Sequence, residues 1–245
     1  MIYRHYYTAQ LLDGVSFADI EKQLGGSYTA PEAVVSITVS AWRKRLFLYF
    51  ETRDVEELSP DVLWSGLESF LELWPGAEEK RLWVPMFDIF HYNAPVVDEE
   101  WMRHTEKVPF CMLMTIRPEK LASYIFYHHQ LQEEDPGCGA QHAVIAMHEN
   151  LLFHYMENPE NENCLVAKGS LNTHNTPDHW GELMEQHFAP WPDTDPPIQW
   201  RKDLTTVFHT ETIIPYSSNS GNGGNGGERC GDAFEKAPPR PPQNF

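Results

Sequence analysis

Positive charge is scarce in this 245-residue sequence. Eighteen lysines and arginines stand against 36 aspartates and glutamates, a formal net charge of -18. A surface that acidic repels phosphate backbones and anionic headgroups, which argues against nucleic acid and membrane as partners. Cysteine is sparse too. Cys111, Cys138, Cys164 and Cys230 show neither CxxC spacing nor a dense framework, so free thiols in a reducing cytoplasm are expected rather than disulfides. No uninterrupted apolar run approaches the roughly 18 residues that a membrane span needs. Met1-Ile2-Tyr3-Arg4-His5-Tyr6-Tyr7 has no basic segment leading into an apolar one, and the chain reads as cytoplasmic. What is present is core material: 41% of residues are hydrophobic and 13% aromatic, ample for a packed interior.

The pattern along the chain alternates strands and helices. Ile2 to Leu11 is rich in strand formers and stops at the turn pair Asp13-Gly14. Ser16 suits a helix N-cap, with Asp19 at the capping-box position and Gly25-Gly26 as the stop. Val34 to Trp42 and Leu46 to Glu51 read as strands joined by Arg43-Lys44-Arg45. A helix is expected from Pro60, where Val62, Leu63, Leu67, Phe70, Leu71 and Trp74 recur at helical spacing before Pro75-Gly76. Met86 to Tyr92 is the next strand. Asn93 to Lys107 is polar and reads as a linker.

The same order then returns. Phe110 to Ile116 reads as a strand, Pro118 to about Glu134 as a helix, Gln141 to Met147 and Leu151 to Glu157 as two strands. Pro177-Asp178 opens a further helix carrying Trp180, Leu183, Met184 and Phe188, and Asp203 to Thr210 is the last strand. The repetition reaches single residues. Leu46-Phe47-x-Tyr49-Phe50-Glu51 recurs as Leu152-Phe153-x-Tyr155-Met156-Glu157, and Trp64, Trp74-Pro75 and Phe90-His91 recur as Trp180, Trp191-Pro192 and Phe208-His209. Four matches in one order indicate a tandem duplication. The expected units are 1–94, a linker over 95–107, a second unit over 108–214, and a disordered Gly/Asn- and Pro-rich tail over 215–245.

A strand-helix-strand-strand-helix-strand unit is the ferredoxin-like arrangement, α+β, with two helices on one face of a four-stranded sheet. Its other face is left bare. Two such units on one chain can bury those faces against each other, giving an intramolecular version of a dimeric α/β barrel.

For chemistry, the helix from Pro118 places Tyr124 and His128 four residues apart and therefore on one face. Histidine can give and take a proton near neutral pH. The plainer reading of the same pair is an aromatic contact that packs on the sheet. A metal site is disfavoured, because His128 and His129 are adjacent and point about 100° apart on a helix. Gly221 to Gly227 precedes no helix and lacks the lysine of a phosphate loop.

From Lys107 to Thr210 the chain resembles the L-rhamnose mutarotase family. The resemblance rests on Tyr124-x-x-x-His128, on Asn150-Leu151-Leu152-Phe153-x-Tyr155-x-Glu157, and on Trp180-x-x-x-Met184, Pro192-Asp193 and Asp203-Leu204-x-x-Val207-Phe208-His209. It implies a sugar isomerase that exchanges α and β anomers by acid/base catalysis without metal or organic cofactor. On that resemblance His128 is the acid, Tyr124 its neighbour on the sugar and Trp180 an apolar platform, with Tyr155 and Asp193 as further sugar-contacting positions. The chain departs from the family pattern in two places. His129-Gln130-Leu131-Gln132-Glu133-Glu134 replaces the family's Asn-Pro-x-Trp-Pro-Glu, and Ile145 and Ala146 stand where a tyrosine is usual. The first copy's helix, Phe17 to Leu24, has neither tyrosine nor histidine, so any site is expected to be single. Two alternatives stay open: a non-catalytic sugar-binding or scaffold pseudo-dimer of the same fold, and, by fold analogy alone, a cofactor-free oxygenase.

Overall fold

The computed structural model describes residues 1–29, 31–74, 81–95, 98–134, 140–159, 169–193 and 199–214. The tail over 215–245, the Pro75-Gly76 stop, and Cys138, Cys164 and Cys230 lie outside the described residues. The strands are β1 (Ile2–Gln10), β2 (Val34–Trp42), β3 (Arg45–Arg53), β4 (Trp83–Pro85), β5 (Phe87–His91), β6 (Val108–Ile116), β7 (Val144–His148), β8 (Leu151–Asn158), β9 (Phe188–Ala189), β10 (Arg201–Asp203) and β11 (Thr205–Glu211). The helices are α1 (Phe17–Ser27), α2 (Asp98–Trp101), α3 (Leu121–Glu134) and α4 (Trp180–Glu185).

These elements make an α+β fold of two antiparallel sheets. The first has the order β11-β2-β3-β1-β4; the second runs β10-β6-β8-β7-β5, with β9 also on β6. Read from opposite ends, the two orders correspond. Each half of the sequence does not keep its strands to itself, contrary to the self-contained four-stranded units expected. β5 leaves the first half to pair with β7, and β11 leaves the second half to pair with β2. The physical reason is edge protection: each exchanged strand covers backbone groups of β7 or β2 that would otherwise stand unpaired.

Local chemistry explains most elements. Ser16 caps α1 through its side chain to the Asp19 N–H, and the Asp19 carboxylate accepts from the Ser16 N–H at 3.1 Å. The helix continues through Gly25-Gly26 to Ser27 because Ile20 and Leu24 anchor it fully buried on the sheet. The helix expected from Pro60 to Trp74 is absent. Two 3-10 turns, Pro60–Val62 and Leu67–Phe70, stand there instead, separated by Gly66 at a φ of 82°, which no α-helix accepts. The backbone beyond them is drawn toward β1, where Leu12 N–H donates to Phe70 O and Leu71 bridges to Leu11.

The inner faces of the sheets share one core. Phe47 stacks on Phe153 with ring centroids 5.4 Å apart, and Tyr49 lies 4.1 Å from Tyr155. Beyond these rings sits a buried ionic clamp. Arg103 is wholly buried and donates to Glu51 through Nη1 at 2.6 Å and to Glu157 through Nε at 3.1 Å. Tyr49 and Tyr155 hydroxyls donate to the same carboxylates at 2.5 Å and 2.6 Å. Burial opposes ionisation of Glu51 and Glu157, but the Arg103 guanidinium outweighs it and holds both carboxyls below the usual range. Arg103 comes from the stretch read as a polar linker, where α2 forms and Trp101 and Met102 are also buried.

Candidate functional site

The outer face of the second sheet is covered by α3, which follows a 3-10 turn opened by Pro118. Tyr124 and His128 are the residues that α3 buries, at 1% and 4% exposure. Their rings lie 4.0 Å apart, and His128 meets Phe90 of β5 at 5.3 Å and Trp180 of α4 at 4.9 Å. The structure therefore gathers Tyr124, His128 and Trp180, three residues from two helices, over one sheet. His129 is exposed on another side of α3.

The state of the histidine follows from its partners. His128 Nδ1 lies 2.9 Å from the Tyr124 carbonyl oxygen, which can only accept. Nδ1 must carry the proton, and in the neutral ring Nε2 is a free lone pair. Burial pushes the His128 pKa down to about 4, helped by nearby His154 and His187 and opposed by the Tyr124 carbonyl. At neutral pH the ring is therefore uncharged. Burial also drives the Tyr124 phenol well above its ordinary range, so it stays protonated as a hydrogen-bond donor.

The other two expected positions lie elsewhere. Tyr155 alternates to the inner face of β8, fully buried against Tyr49, with its hydroxyl committed to Glu157. Period-two alternation separates it from His128 by the thickness of the sheet. Asp193 is at the surface, paired with Arg43 at 3.2 Å and Lys202 at 3.1 Å. A residue that the sequence reading passed over, His154, does face α3. It occupies the variable position of Leu152-Phe153-x-Tyr155, where the matching string of the first half has Leu48. That contrast, a histidine against a leucine, was the available signal.

Two clefts adjoin the 3-10 turns of the first half. One of about 300 Å³ is lined by Pro60, Trp64 and Trp83, and the next by Tyr7, Glu57 and Asp61. Both lie on the first sheet, remote from the gathered pair.

One comparison with known proteins falls on the half of the chain that holds this pair. Residues 109–210 match the L-rhamnose mutarotase family. The matched stretch contains α3, α4 and β6 to β10, with Tyr124, His128, His154 and Trp180 inside it. No curated protein matches the chain. Among solved structures, a candidate monooxygenase of Fusobacterium nucleatum is 9% identical at a TM-score of 0.40, covering 88% of this chain and 96% of its own. Another candidate monooxygenase, from Lactobacillus acidophilus, is 10% identical at a TM-score of 0.38, covering 86% and 97%. Neither score is high enough to bear on activity. No helix among the described residues is long and apolar enough to cross a membrane.

Proposed function

We propose that this protein is a mutarotase-like sugar isomerase whose single site lies between α3 and the outer face of the second sheet. The reading is carried by the family match over residues 109–210 falling on the one place, among the described residues, where a helix presents a tyrosine and a histidine to the sheet. On this reading the two halves are copies of one unit, units 1–94 and 108–214, packed as a pseudo-dimeric barrel. The first copy is scaffold, and the enzyme works in the cytoplasm.

The proposed chemistry needs no group beyond those named. His128 Nε2 takes the proton of the anomeric hydroxyl as the C1–O5 bond breaks and the C1 carbonyl forms. The resulting imidazolium gives that proton to O5, which leaves C1 as the C5 hydroxyl of the open-chain aldehyde. Rotation about C1–C2 followed by the reverse steps closes the ring as the other anomer. Tyr124 holds the imidazole from one side, and Trp180 offers an apolar face to the sugar. General acid/base assistance of this kind contributes about 10²–10⁴-fold.

Magnetisation-exchange NMR on L-rhamnose tests it. Catalysed anomer exchange should appear with the wild-type chain and fall about 10²–10⁴-fold in His128→Ala. Unchanged exchange in the mutant removes the assigned base. A second reading, a non-catalytic sugar-binding or scaffold pseudo-dimer, is favoured by the near-complete closure of Tyr124 and His128. Rhamnose binding without any rate effect would select it.

A further inference from the structure

One row of the second sheet carries two polar side chains that the pair on α3 does not explain. Strand register places Asp203 opposite Met112, Met112 opposite His154, His154 opposite Ile145, and Ile145 opposite Phe90. Residues directly opposite share a face, so these five side chains cross the sheet from β10 to β5 on one side. That side is the α3 side, because Ile145 and Phe90 belong to the cluster around Tyr124. One end of the row is Phe90, against which the His128 ring packs. The other end is Asp203, half-exposed and paired with Arg201 at 3.0 Å. His154 stands in the middle, only partly buried, with no hydrogen-bond partner among the described residues. Adjacent strands are about 4.8 Å apart, so His154 lies about 10 Å from either end.

Partly exposed polar groups with unfilled hydrogen-bonding capacity in an otherwise apolar face imply a polar visitor. We propose that His154, together with Arg201 and Asp203, binds the hydroxyl groups of the sugar and so sets which sugar the site accepts. The chemistry of the set is specific. Burial and the Arg201 charge keep His154 neutral, so its ring offers one donor and one acceptor. Arg201 adds donors and Asp203 acceptors, and their charges cancel. Such a wall reads alternating donors and acceptors on a neutral polyol, whereas a phosphorylated sugar would leave two negative charges unmatched. In the first half the matching position is Leu48, fully buried in apolar contacts, so the polar wall exists once.

The inference rests on the isomerase reading for its ligand but is tested by binding, independently of turnover. The full chain and His154→Leu, which installs the first half's residue, are titrated with L-rhamnose and with L-rhamnose 1-phosphate by saturation-transfer NMR. Loss of one donor and one acceptor should weaken rhamnose binding about tenfold or more. His154→Gln, which keeps a donor and an acceptor, should recover part of it, and the phosphate should bind more weakly than rhamnose to the wild type. Equal rhamnose affinity in wild type and His154→Leu, at unchanged melting temperature, overturns the assignment. So does absence of rhamnose binding to the wild type. Weakened binding in His154→Leu together with absent anomer exchange in the wild type upholds the wall while the isomerase reading falls.

Discussion

The two sheets have corresponding strand orders, yet their outer faces differ in kind. Beneath α1 on the first, Ile20 and Leu24 are buried against Ile37, Val39 and Leu48, an apolar layer, while the one buried histidine among the described residues of that face, His5, stacks on Phe50. On the second, α3 buries Tyr124 and His128, and the sheet answers with His154. An apolar layer stabilises by area removed from water. A buried histidine forced to stay neutral gives little back to stability, since its charged form is penalised by burial. Under α1 the first face is built to hold the fold, and under α3 the second tolerates a cost. On the isomerase reading, the face under α3 is the one that carries the site.

Each prediction separates the two roles. The largest effect belongs to neither face but to the clamp between the inner ones. Arg103→Met leaves Glu51 and Glu157 buried without their cation, and chemical denaturation should show a loss of about 3–5 kcal/mol. Next is the apolar face: Leu24→Ala should cost about 2–5 kcal/mol of stability while sugar binding by the surviving folded protein is unchanged. On the other face the signature is pH. The folded-state pKa of His128 lies below its ordinary value, at about 4, so the folded protein binds fewer protons than the unfolded chain between those limits. Stability should therefore fall as pH drops from about 6.5 to about 4, by up to about 1.4 kcal/mol per unit for this group, and His128→Gln should flatten that slope. Melting curves over that range decide it. The smallest effect is at the entrance of α1, where Ser16→Ala should cost about 1 kcal/mol by thermal unfolding and leave the second face untouched.

Much of this was legible in the residues. Alternating and β-branched runs marked β2, β3, β6 and β8; Ser16 with Asp19 marked the start of α1; and Tyr124 four before His128 marked the face of α3. The misses have physical causes. Helical spacing from Val62 to Trp74 was overridden by the left-handed backbone at Gly66. Period-two alternation along β8 sends Tyr155 and His154 to opposite sides, so a motif containing both cannot say which one meets the helix. The destinations of β5 and β11 depend on which edge each strand finds, which no local pattern encodes. Arg103, in a polar-looking segment, gained its place only when Glu51 and Glu157 came together from the two sheets.

The most direct test of the asymmetry is a histidine-ring ¹H–¹⁵N NMR titration of the full chain with L-rhamnose. The account expects the ring nitrogens of His128 and His154 to shift, while His5, stacked on Phe50 of the first sheet, stays still. Shifts at His5 with His128 and His154 unmoved would contradict it.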